Sequence, residues 1–426
     1  AVASGALASG DTVVVNADGT VSVVSSTGRT VTQVVGSPQV FESATTEAGG
    51  AVFDSVNKKV VLSYRDEGNS NYGTAIVGTV DDTSITFGSP VVFASEDIAA
   101  NFPIAAAFDS TSNKIVFVFQ AGTTRGKAVV GTVSGTSISF GSVATFHLSR
   151  SYDACAVFDS TNNKIVIGFR SNSQGEYGRA QVGTVNGTSI SFGTSVLFNS
   201  TSTQGISCCF SPDDGKVVFA YKDEDGSNYG KAVVGTVSGT SISFGSEATF
   251  ISHNTEKTTT SYDPASNKVI VGYKKRINSS THVFGAVVGT ISGTNISFGS
   301  TEDTSTTIEN PGGFDSCFDS ATGKTVFVLN DASSPQKIVA ILGTVSGTSI
   351  SLGSSIAISS GAVTSWPPSV VFDSNKLRNV IAYGDTNNSN YGTTNILRNV
   401  YIAPNLTSEN YIGIASNGYA SGQAAT

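Results

Sequence analysis

Residues 104–119 read Ile104-Ala-Ala-Ala-Phe-Asp-Ser-Thr-Ser-Asn-Lys-Ile-Val-Phe-Val-Phe119. Two apolar runs of strand length flank a stretch of Asp, Ser, Thr and Asn, residues that bond their own backbone in turns, so the stretch predicts a β-hairpin. The same arrangement, an aromatic closing a short apolar run and nearly always followed by Asp, recurs at Phe53, Phe108, Phe158, Phe210, Tyr262, Phe318 and Phe372, at gaps of 50–56 residues. A period of that size identifies the unit that stacks to build a fold, and it outranks local propensity. Two further markers keep step with it. Gly-Thr within an apolar run sits at Gly78, Gly131, Gly183, Gly235, Gly289 and Gly343. The glycine that ends Ile-Ser-Phe-Gly or a variant sits at Gly88, Gly141, Gly193, Gly245, Gly299 and Gly353.

Each repeat reads as four strands. In repeat two they are Ile104 to Phe108, Lys114 to Phe119, Lys127 to Val133, and Ser137 to Phe140 extended by Val143 to Phe146. Gly135 in the last hairpin is free to take positive φ. The pattern predicts an all-β chain: a seven-bladed β-propeller of four-stranded antiparallel blades. Repeat seven has no fourth strand of its own. Thr30 to Gly36, followed by Ser-Pro-Gln-Val-Phe, matches Ile85 to Phe93, and Gly36 precedes Phe53 by 17 residues, as at three other junctions. The N-terminal segment is therefore expected to complete blade seven, which removes the open edges of an unfinished ring. The expected divisions are 1–28 (a hairpin of Thr12 to Asn16 and Thr20 to Val24 about Asp18-Gly19), 29–403 (the propeller) and 404–426 (the opening of a further module).

The intervals inside the repeats point to a face. From the first-strand aromatic to the end of the second strand is always 11 residues, and from the Gly-Thr glycine to the fourth-strand glycine always 10. The connections after the second and fourth strands vary, by 12–16 and 17–20 residues. In an up-and-down sheet these two loops share one face, so all length variation lies there. Loops on a rigid scaffold carry function.

Six residues before each aromatic, at the expected mouth of the central channel, stand Glu47, Phe102, Tyr152, Gln204, Glu256, Gly312 and Trp366. Trp366, Glu47, Phe102 and Tyr152 belong to consecutive repeats and predict an aromatic arc with one carboxylate, suited to stacking on sugar rings. The residue after the second strand is Arg65, Gln120, Arg170, Lys222, Lys274, Asn330 or Gly384. Arg65, Arg170 and Lys222 add cations to the same face. Acidic, Asn-rich loops follow, as in Asp223-Glu-Asp-Gly-Ser-Asn228. Whether such oxygen-rich loops take Ca²⁺ is left open, since none has EF-hand spacing.

Composition excludes several classes. Only 13% of the 426 residues are charged, Gly contributes 46, and the net charge is −8. An acidic chain lacks the cationic footprint of a nucleic-acid binder. No apolar run is long enough to span a membrane as a helix, and no basic segment precedes an apolar core at the start. There is no Met, and the chain starts at Ala1, as expected of a fragment or processed product. Cys155, Cys208, Cys209 and Cys317 lack CxxC spacing and lie on first strands, so they read as small buried residues and point to assembly in a reducing cytosol. No cofactor motif is read. His147, His253 and His282 form no catalytic constellation with Ser and Asp, and no paired carboxylates support glycoside hydrolysis.

The flanks carry a resemblance. Ala3-Ser-Gly-Ala-Leu-Ala-Ser-Gly-Asp-Thr-Val-Val-Val-Asn-Ala-Asp-Gly-Thr-Val21 and Asn405-Leu-Thr-Ser-Glu-Asn-Tyr-Ile-Gly-Ile-Ala-Ser-Asn-Gly-Tyr-Ala-Ser-Gly-Gln-Ala424 resemble segments of marine phage (cyanophage-like) tail and fibre virion proteins. Ser211-Pro-Asp-Asp-Gly-Lys216 is similar to the turn of TolB-like and WD-type propellers. Sialidase-like hydrolases are also propellers, but their Ser-x-Asp-x-Gly-x-Thr-Trp box is missing here. The resemblance implies a non-enzymatic virion appendage, assembled in the host cytoplasm and displayed outside it. Its expected partners are a host-surface glycan or receptor, other virion proteins and further copies of itself. The alternatives are a purely structural virion ring, a bacterial surface adhesin, and a glycan-degrading enzyme.

Overall fold

The computed structural model describes residues 2–7, 12–16, 18–23, 30–100, 102, 104–122, 125–309, 312–402 and 411–414. Among them the chain is all-β, without an α-helix and with single 3₁₀ turns at Glu67–Asn69, Asn172–Gln174 and Thr386–Asn388. It divides into a large unit, Val35–Arg398, and a small one formed by Ala1–Val34 with Asn399–Thr426.

The large unit repeats one antiparallel meander. In repeat two, Ala105–Asp109 pairs with Lys114–Ala121, which pairs with Arg125–Ser134, which pairs with Ser137–Phe140 and then with Ala144–His147. Three long strands, Gln39–Asp54, Val196–Ser211 and Ala248–Asp263, run unbroken from the outer edge of one meander into the first strand of the next. Repeat seven supplies Ser369–Asp373, Arg378–Asp385 and Tyr391–Ile402. Its outer edge comes from the other end of the chain: Gly36 N–H donates to Ile396 O at 2.8 Å, and Gln39 to Thr45 pair with Thr394 to Tyr391.

The constant intervals have a backbone cause. The Asp after each first-strand aromatic accepts two main-chain N–H bonds from the turn that follows, as Asp54 does from Val56 (3.0 Å) and Asn57 (2.8 Å). Asp109, Asp159, Asp263, Asp319 and Asp373 do the same. In repeat four Ser211 stands instead and donates to Asp214 at 2.7 Å. One left-handed residue completes each turn: Lys58, Asn113, Asn163, Gly215, Asn267, Gly323 and Leu377. An insertion would break that turn.

The fourth-strand glycines mark where neighbouring meanders touch. A Cβ at Gly36, Gly88, Gly141, Gly193, Gly245 or Gly299 would overlap the carbonyl of Thr83, Thr136, Thr188, Thr240, Thr294 or Thr348, each in the third-to-fourth-strand turn of the next repeat. Gly353 is the exception, since the nearest atom to its Cβ is Leu342 O of its own sheet at 3.5 Å. Repeat seven has no such turn, because its outer edge arrives from the N-terminal side.

Among the described residues, the apolar core clusters of the large unit each draw on two consecutive repeats, such as Val61 and Val77 with Phe117 and Phe119. One cluster joins Leu62 and Tyr64 of repeat one to Val380 and Ala382 of repeat seven. Fully burying side chains of this size stabilises by about 1.5–3 kcal/mol each, so most of the cohesion lies between sheets. The first strands neighbour one another in chain order, and that of repeat seven neighbours that of repeat one. Residues from all seven line a cavity of about 350 Å³.

In the small unit, Thr12–Val15 and Thr20–Val23 form a hairpin whose Asp18 accepts Thr20 N–H at 3.0 Å. Val2–Ala3 adds a parallel edge, and Tyr411–Ile414 pairs with Thr12–Val15. The two flanks, read from sequence as separate segments, thus share one sheet. Residues 8–11, 17, 403–410 and 415–426, which carry part of the flank motifs, lie outside the described residues.

Candidate functional site

The two rows of candidate residues turn out to be one row of cross-strand pairs. Glu47 faces Arg65, Tyr152 faces Arg170 and Gln204 faces Lys222 in the register of the first two strands. Directly after this position the first strand bulges, between Ala48 and Ala51, Tyr152 and Cys155, Gln204 and Ser207, and Thr255 and Thr258. A bulge bends its strand and re-aims side chains, here beside the cavity.

This register decides what each residue touches. Arg65 Nη1 donates to Glu47 Oε1 at 2.8 Å and to Glu67 Oε1 at 2.7 Å, and its Nε donates to Ile98 O at 2.9 Å. Glu47 is buried. Lys222 donates to Glu224 at 2.8 Å and to Gln204 at 3.4 Å. Lys274, only 1% exposed, lies 3.1 Å from Glu256 Oε2, while Oε1 lies 3.0 Å from His282 Nε2. Burial pushes the Glu256 carboxyl up, but Lys274 and His282 outweigh it and hold the group below its usual value.

The predicted four-residue arc is not assembled as such. Phe102 and Tyr152 do meet, with ring centroids 4.7 Å apart. The Arg170 guanidinium lies over the Tyr152 ring at 4.6 Å, and Arg150 Nη1 donates to the Tyr152 hydroxyl at 3.0 Å. Glu47 is turned to Arg65 instead, because its cross-strand neighbour is a cation. Trp366 is half-buried and, among the described residues, makes no ring contact. What forms is a Phe102–Tyr152–Arg170 stack, held from below by Glu176 on Arg170 Nη1 (2.9 Å). The carboxylates of the acidic loops are likewise engaged by cations of their own sheets, Asp223 by Lys231 and Glu224 by Lys222.

Three charged residues on the cavity wall escaped the sequence reading: Asp153, Lys257 and Asp315. A signal existed. Asp153 and Lys257 stand five residues before their aromatics, where the other repeats have Ala48, Pro103, Gly205, Gly313 and Pro367. Burial pulls the Lys257 ammonium down, against the opposing pull of Asp153. Burial pushes the Asp315 carboxyl up to about 6, although it accepts N–H bonds from Val370 at 3.0 Å and Ser316 at 2.8 Å. A carboxyl whose folded value lies above its unfolded one binds its proton more tightly when folded, so the wild type gains stability as pH falls through 6. Asp315→Asn cannot titrate there. Denaturant unfolding from pH 7.5 to 5 should therefore show the wild type gaining on the variant by about 1.4 kcal/mol, since the full ~3 kcal/mol is reached only below the unfolded value.

The four cysteines are free. Cys155 and Cys208 line the cavity, Cys209 is buried in the core, and Cys317 Sγ lies 3.4 Å from Asn379 Oδ1. Burial pushes the Cys208 thiol well up and that of Cys209 up to about 12, which suppresses thiolate chemistry.

No protein-family model matches the chain, and no curated protein matches it in sequence. Solved structures do. A protein of unknown function from Dyadobacter fermentans superposes with a TM-score of 0.51 at 10% identity, over 86% of this chain and 99% of that one. A fucose-specific lectin from Aleuria aurantia is similar at a TM-score of 0.45 and 12% identity, over 74% and 96%. A leech intramolecular trans-sialidase complexed with 2,7-anhydro-Neu5Ac is similar at 0.46 and 10%, over 87% and 71%. At these identities the likeness to the first concerns the fold alone.

Proposed function

We propose that the seven meanders form a seven-bladed β-propeller, that the ring binds a host-surface glycan without turning it over, and that it does so as part of a phage virion appendage. The ring reading is supported by the cyclic order of the first strands, the core cluster between repeats seven and one, and the cavity that all seven repeats line. The observation that carries glycan binding is the Phe102–Tyr152–Arg170 stack beside the length-variable loops. The half-buried Phe102 ring, backed by the buried Tyr152, receives the apolar face of a sugar, and adjacent fixed donors read its hydroxyls. Arg170 and Arg150 are such donors.

The non-enzymatic reading is supported by Glu176 at the stack and by Glu47 and Glu256 in the same row of the other repeats, each of which is bound to a cation. Virion display and assembly in the host cytoplasm are supported by the flank resemblance and the four free cysteines. Repetition of the chain on a particle, as a homo-oligomer beside other virion proteins, would turn weak sites into avidity.

Tyr152→Ala removes the centre of the stack and is expected to weaken glycan or host-cell binding by about tenfold or more. Fluorescently labelled protein on a glycan array and on host cells reads this directly. Binding that is unchanged in Tyr152→Ala and Phe102→Ala would exclude the stack as the site.

A further inference from the structure

The charges on the cavity wall are arranged unequally. On one side Asp153 and Lys257 stand close. Asp153 Oδ2 accepts Gly205 N–H at 3.2 Å and lies 3.6 Å from Arg170 Nε, and the field at Lys257 is set by Asp153 and Glu256 against Lys274. That side is a mixed network of both signs. Asp315 stands on the first strand next to that of Lys257, and the donors it accepts from are neutral: the N–H groups of Val370 and Ser316 and the Thr259 hydroxyl. A carboxylate offers about four lone-pair sites, so capacity remains for a cation arriving from the cavity. Its partial burial in the cavity wall raises its need for one, because a charge drawn from water is stabilised chiefly by pairing.

The wall next to Asp315 is polar but uncharged. Thr259 Oγ1 and Ser316 Oγ lie 2.8 Å apart, and Ser207 Oγ and Thr258 Oγ1 lie 2.7 Å apart. Thr258 Oγ1 is already engaged by Gly205 O and Ala220 O, and Thr259 by Asp315, but each hydroxyl has two acceptor positions, so the pairs keep acceptor capacity for further hydroxyls. Pro367, Pro368 and Ala154 supply an apolar wall. The volume of about 350 Å³ falls at the small end of ligand sites, roughly 300–1,000 Å³.

We propose that the central cavity binds an amino sugar with a free ammonium group, the ammonium on Asp315 and the ring hydroxyls on the Thr259–Ser316 and Ser207–Thr258 pairs. The proposal rests on the sugar-binding reading and adds a site separate from the Phe102–Tyr152 stack. A neutral or N-acetylated sugar would leave the Asp315 carboxylate without a cation, and a bare alkylammonium would leave the hydroxyl pairs unused.

The test is calorimetric titration of the full chain at pH 7 with glucosamine, N-acetylglucosamine, glucose and methylammonium. Glucosamine is expected to bind at least about tenfold more tightly than the other three, the discrimination of one charge-assisted bond. Asp315→Asn is expected to remove that preference, and Thr259→Val to weaken glucosamine while leaving the preference over glucose intact. Equal affinity for glucosamine and glucose, unaffected by Asp315→Asn, would overturn the amino-sugar proposal and leave sugar binding standing. Methylammonium as tight as glucosamine would overturn it too, leaving a cation site with no sugar selectivity. Failure of all four probes would also overturn it, without bearing on the stack, which the array and Tyr152→Ala decide separately.

Discussion

Replacing Gly245 with valine should cost at least about 2–3 kcal/mol of stability, while the same replacement at Gly353 should cost under about 0.5 kcal/mol. Both glycines end the same Ile-Ser-Phe/Leu-Gly motif, so local propensity offers no reason to separate them. The difference is what lies opposite. A Cβ at Gly245 would overlap Thr294 O, a backbone atom in the next meander, whereas at Gly353 it would find only ordinary contact with Leu342 O. A backbone carbonyl cannot rotate aside as a side chain can, so one sheet must shift against its neighbour and disturb the core between them. Thermal unfolding of the two variants side by side tests this. A similar loss in both would mean that the motif glycine serves its own strand and that the contact between meanders is incidental.

Glu256→Ala should be the most damaging single charge deletion, at about 3 kcal/mol, the low end for breaking a buried pair because the glutamate itself is only half-buried. Lys274 is 1% exposed and 3.1 Å from Glu256, with Glu309 O at 3.1 Å as a further acceptor. Without Glu256 the Lys274 ammonium stays buried and loses its carboxylate. Restoring an apolar pair, Glu256→Leu with Lys274→Met, should recover most of the loss, since the desolvation cost disappears with the charges. The pH dependence has a definite sign. The folded Glu256 carboxyl is held below its usual value despite burial, so its stabilisation is present above the unfolded value and fades as pH falls through the folded one. The gap between wild type and Glu256→Ala should therefore narrow from pH 7 to pH 3.5 in denaturant titrations. A gap that stays constant would show that the loss comes from packing and not from charge.

The repeat, its strand count and its turns were legible because they depend on neighbours in the chain. An aromatic followed by Asp at a constant interval implies a turn of one geometry, and each such Asp accepts two N–H bonds from the turn it opens. The missing strand of repeat seven was legible for the same reason, since Gly36-Ser-Pro-Gln-Val-Phe41 repeats a motif found elsewhere in the chain. The candidate site was legible only in its rows. Glu47 and Arg65 lie 18 residues apart and were read as members of two different rings, although the register makes them partners. Asp315 carried a signal of the same kind as Asp153 and Lys257 that spacing alone did not interpret: it stands three residues before its aromatic, where no other repeat places a charge.

The sequence by itself thus determined the all-β class, the four-stranded unit, the seven copies and the face that tolerates insertion, all of which follow from hydrogen bonding within about 50 residues. Only the tertiary structure decided which side chains meet: Phe102 with Tyr152, Glu256 with Lys274, Gly245 with Thr294, and Asp315 with the cavity. These contacts join strands from different repeats or across a bulge. They depend on how sheets stack and on how much water each group loses, and neither quantity is set by spacing along the chain.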